Sequence, residues 1–111
     1  MILKTEFKVE LANGKDTAIL TFAQPKSNDY LLRESDIDKI EDVSKKIEAR
    51  FEHTLSYLIK VEGLKKQDGS EAGVADLKEY GMRLGFLYQR AINNAFLSAF
   101  GYVEETPEKK A

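Results

Sequence analysis

The chain has no cysteine and a single histidine, His53, among its 111 residues. Without thiols there is no disulfide, no thiolate metal site and no cysteine nucleophile. A lone histidine gives no His pair for a metal and no evident base for a serine. Charge of one sign is also missing: 17 Lys and Arg stand against 19 Asp and Glu, for a net charge of -2. Nucleic-acid binding needs clustered cations to neutralise phosphates, so no nucleic-acid partner is expected. Long apolar runs are absent too. The most apolar stretch, 84–100, is interrupted by Gln89, Arg90, Asn93 and Asn94, so no membrane span is expected. Lys4 and Glu6 break up Met1-Ile2-Leu3, which does not read as a signal peptide. With the absence of cysteine, this points to a soluble chain in the cytoplasm.

What is present is periodic. Leu3, Thr5, Phe7, Val9 and Leu11 alternate with Lys4, Glu6, Lys8 and Glu10, the mark of a strand with one buried face. Asn13-Gly14 tolerates positive φ and lets the chain reverse. A second strand follows over about 17–23, with Ala18, Leu20 and Phe22 on one face, and Pro25 ends the pairing. Ser27-Asn28-Asp29 can cap a short helical turn. From Ser35 or Asp36, the spacing of Ile40, Val43, Ile47, Phe51, Thr54 and Leu58 predicts one long helix stopped near Gly63, with Leu55 and Val61 widening its stripe. A polar loop around Asp68-Gly69 leads to a short helix over 74–80. A last helix over about 82–100 follows. The expected fold is α+β: an N-terminal antiparallel β-hairpin, then a long helix, a short helix and a final long helix. Residues 1–101 form one domain in this reading, and 102–111 a charged, flexible tail.

No constellation carries evident chemistry. His53 falls off the apolar stripe near Arg50 and Tyr57, where a solvated histidine is the simpler reading and a polar site the sharper one. Glu34, Asp36, Asp38, Glu41 and Asp42 crowd the expected helix start, where acidic groups favour the positive end of the helix dipole. Asp68 and Glu71 lack the regular oxygen ligands of a calcium loop, and no Gly-Lys-Ser/Thr phosphate loop occurs. No catalytic residue, cofactor or metal ligand is assigned.

Two contact surfaces are offered: an exposed edge of the hairpin, whose alternating Lys and Glu discourage uncontrolled pairing, and the last helix. A helical wheel places its core face at Leu84, Leu87, Tyr88, Ala91, Ile92, Ala95 and Ala99. Phe86, Arg90, Asn93 and Leu97, spaced by four, three and four, then form a second stripe. Either the hairpin of the same chain or another protein covers it. These four residues are the candidate protein contacts.

The order of elements resembles the tail assembly chaperones of long-tailed bacteriophages and related prophages. The likeness lies in the hairpin from Phe7 to Phe22 and in Leu20-Thr21-Phe22-Ala23-Gln24-Pro25 followed by Asn28-Asp29. It continues through a long helix, the Asp68-Gly69 loop, Asp76-Leu77 and a final helix. The resemblance implies a protein that is not an enzyme, binds the tape-measure protein to keep it soluble, and helps tail-tube subunits assemble. It also implies, for many members, a longer frameshifted form. The alternatives are a small structural or adaptor protein of a phage particle that forms a homo-oligomer, and an enzyme using Arg50, His53 and Tyr57.

Overall fold

The computed structural model describes residues 5–13, 15–83 and 86–100, with backbone alone for Asn13, Tyr80, Met82 and Phe86. The turn residue Gly14, the expected core residue Leu84 and the expected tail 102–111 lie outside the described residues. The fold is α+β with an N-terminal hairpin, β1 (Glu6–Asn13) and β2 (Asp16–Ala23), paired antiparallel from Glu6↔Ala23 to Asn13↔Asp16. Alternation dictates the faces. Val9, Leu20 and Phe22 are buried on one side, while Glu6, Lys8 and Glu10 remain exposed on the other.

The expected long helix does not form as one piece. The chain instead makes α1 (Ser27–Asp38), α2 (Val43–Leu55) and a third strand, β3 (Leu58–Glu62). Two causes are visible. Asp42 accepts the Lys45 backbone N–H at 3.1 Å and so starts a fresh helix. The acidic run also suits such a break, because negative charge is favourable ahead of α2 and unfavourable within a continuing helix end. At the other end, Phe51, Leu55, Leu58 and Val61 satisfy both a helical stripe and a strand that begins after 57. The strand wins because Leu58 and Val61 complete the buried face of β2. β3 pairs antiparallel with β2 (Ile19↔Glu62, Leu20↔Val61, Thr21↔Lys60, Phe22↔Leu58), with an irregularity at Ile59. The sheet order is β1-β2-β3.

Gly63 ends β3 rather than a helix. Its φ is +80°, and a Cβ there would sit 2.6 Å from the Thr17 carbonyl oxygen, so the close approach requires glycine. After the loop come α3 (Val74–Tyr80), with the Gly73 N–H bound to Asp76 Oδ2 at 2.8 Å, a 3-10 turn over Gly81–Arg83, and α4 (Phe86–Phe100). The helices pack on the Phe22 face of the sheet. Phe51, Leu55, Ile92 and Phe96 complete the core there.

Candidate functional site

Phe96 organises the centre of the molecule. Its ring lies 5.0 Å from Phe22 in an edge-on arrangement and 5.4 Å from Phe7. It also contacts Tyr30, Tyr57 and Phe100. Aromatic rings bury more area than alanine methyls, and this decides how α4 is turned. The face actually buried runs through Gln89, Ile92 and Phe96, with Asn93, Ala95, Ala99 and Phe100 partly covered. The expected core face of α4 is therefore rotated from the true one. Leu87 is 76% exposed and Tyr88 54% exposed, and Ala91 is exposed as well.

The four contact candidates separate accordingly. Asn93 turns inward and accepts a hydrogen bond from the Thr54 hydroxyl of α2. Arg90 is exposed, and Leu97 is 48% exposed. The Phe86 side chain lies outside the described residues. Leu87, Arg90, Asn94 and Leu97, at spacings of three, four and three, form the outward strip.

A second group of side chains was only half legible in the sequence. His53 is not solvated. It is 7% exposed, with its ring stacked on Tyr30 at 4.6 Å and close to Tyr57. Its Nδ1 lies 2.7 Å from Glu34 Oε2, and opposite a carboxylate that nitrogen is the donor. Arg50 donates from Nε to Glu34 Oε1 at 3.0 Å and from Nη2 to Asp38 Oδ1 at 2.6 Å. Glu34 thus spends one oxygen on each of two residues of α2. The structure brings Arg50, His53 and Tyr57 together as the sequence spacing suggests. The residue missed was their acceptor, Glu34, which comes from a separate helix 16 and 19 residues earlier. Burial, and then the nearby Glu34 charge, push the Tyr30 phenol up to about 12. Glu34 and Asp38 of α1 thus bind Arg50 and His53 of α2, which is the arrangement of a clamp between the two helices.

The loop from 64 to 77 forms a shallow hollow lined by Leu64, Lys66, Ala72, Asp76 and Leu77. Lys65 pairs with Glu71 and Lys66 with Asp76 across its rim. Asp68 accepts the Ser70 hydroxyl and backbone N–H, which hold its carboxyl below the ordinary range. Among the described residues no three His, Asp or Glu side chains are grouped to hold a metal ion, and no helix is long and apolar enough to cross a membrane. No protein-family model, curated protein or solved structure matches the chain.

Proposed function

We propose that the chain is a non-catalytic binding protein of phage tail assembly, which keeps the tape-measure protein soluble and helps tail-tube subunits assemble in the bacterial cytoplasm. The observation that supports this is the outward strip of α4. Leu87 and Leu97 flank Arg90 on the side facing away from Phe96. Such a strip suits the apolar face of a partner helix, with the guanidinium free to meet an acid at the rim of the contact. The partner is the one that the resemblance of the hairpin and of Leu20-Thr21-Phe22-Ala23-Gln24-Pro25 implies, and the strip supports a means of holding it.

The test is co-expression with the tape-measure protein of the phage or prophage whose tail genes flank this one. The long protein should become soluble and co-purify with the chain. Leu87→Asp with Leu97→Asp should abolish both effects while leaving the circular dichroism spectrum intact. No gain in solubility and no complex with the wild-type chain would reject the reading.

A second reading, a self-associating structural or adaptor protein, draws on a different feature: β1 is a long edge strand that has β2 on one side and no strand on the other among the described residues.

A further inference from the structure

We propose that two copies of the chain join through β1, antiparallel about a two-fold axis through Phe7 or Val9, to form one six-stranded sheet. β1 lies at the edge of the sheet and is eight residues long, against five for the opposite edge strand β3. Its backbone groups alternate in direction. The Gln24 N–H bonds the Thr5 carbonyl, and the register runs on to Asn13↔Asp16 at the turn, so odd-numbered residues address β2. The N–H and C=O groups of Glu6, Lys8, Glu10 and Ala12 point outward, a ladder ready for another strand.

The side chains of those same residues select the occupant. They alternate in sign, and in sequence the alternation runs Lys4, Glu6, Lys8, Glu10. An axis through Lys8 would set Glu6 against Glu10 and Lys8 against itself. An axis through a core-facing residue sets its two neighbours, of opposite sign, against each other. At Phe7 this pairs Glu6 with the second copy's Lys8, twice by symmetry, and at Val9 it pairs Lys8 with the second copy's Glu10 in the same way. Directly opposed unlike charges favour a register and like charges oppose it. An edge of one sign would repel a copy in every register, whereas this edge admits one about Phe7 or Val9 in preference to an axis through Lys8.

The helix layer agrees. Phe96 touches both Phe7 of β1 and Phe22 of β2, so α4 sits between those strands. With strands about 4.8 Å apart, α4 and its symmetry mate would lie about 10 Å apart, the ordinary distance of two packed helices. The Asn93–Thr54 bond holds α2 against one flank of α4. The opposite flank carries Tyr88, Ala91 and Ala95, and two of these three are exposed. A tyrosine beside alanines is a surface that a second helix can approach closely.

The inference is independent of the tail-assembly reading, and its test needs no partner. Sedimentation equilibrium of the chain alone should return twice the 12.6 kDa chain mass. Lys8→Glu, on the exposed sheet face, should halve that mass without changing the circular dichroism spectrum. Adding Glu6→Lys to Lys8→Glu restores opposite signs about Phe7, and adding Glu10→Lys instead restores them about Val9, so one of these two double variants should restore the dimer. A monomeric wild-type chain would overturn the proposal. So would a dimer indifferent to Lys8→Glu, or failure of both double variants to restore it.

Discussion

The Thr54 hydroxyl donates to the side-chain oxygen of Asn93, 39 residues later in the chain, and joins α2 to α4 in a part-buried contact. The bond makes Asn93 an internal strut. Thr54→Val and Asn93→Ala should each cost about 1 kcal/mol in urea unfolding, and the double variant should cost less than the sum, with a coupling of similar size. An unchanged unfolding midpoint in Asn93→Ala would return that residue to the surface.

Glu34 and Asp38 both bind Arg50, but only Glu34 also holds the buried His53. Glu34→Ala strands the His53 donor in a site with little solvent and should cost about 2–3 kcal/mol. The Asp38 side chain is 67% exposed, and Asp38→Ala should cost about 0.5 kcal/mol. Equal losses from the two substitutions would show that the clamp depends on total charge rather than on the His53 contact.

Tyr30 should make the protein sensitive to alkali. Burial first, and Glu34 second, push its phenol from the ordinary 10.0 to about 12, so the folded state favours the neutral form. That contribution is complete below pH 10 and is lost as pH rises from 10 to 12, an effect of about 1–2 kcal/mol. Tyr30→Phe should flatten stability against pH over this interval. Tyr57, which burial, and then Asp29 and Glu34, raise as well, contributes to the slope that remains.

Two glycines with positive φ offer a controlled comparison. Gly69, at +90°, has open space where a Cβ would go, and Gly69→Ala should cost about 1 kcal/mol from backbone strain alone. Gly63, at +80°, would drive its Cβ into the Thr17 carbonyl, so Gly63→Ala should cost about 3 kcal/mol and loosen the β2–β3 ladder. Thermal melting of the two variants under the same conditions separates strain from collision.

The hairpin was legible because period-two alternation over Phe7, Val9 and Leu11 has no helical counterpart. The short helix over 74–80 was legible from its position between turn residues. β3 was not, since Phe51, Leu55, Leu58 and Val61 fit a helical stripe as well as they fit a helix followed by a strand. Only the need of β2 for a second neighbour decides between those two. The turn of α4 was misjudged for a related reason. A wheel counts apolar positions equally, and it does not register that Phe96 outweighs several alanines once Phe7, Phe22 and Tyr30 surround it. The clamp was hidden because its acceptor, Glu34, lies on a separate helix, and the start of α2 after the break is marked by the Asp42 cap and not by any apolar pattern.

The late arrival of β3 also sets an order of events. The hairpin closes with neighbours in sequence, whereas Ile19 waits for Glu62, roughly 40 residues on, and contacts of that separation form slowly. Until both intervening helices have emerged and folded, β2 has an open side, and the nascent chain carries a transient sticky edge that the finished molecule conceals.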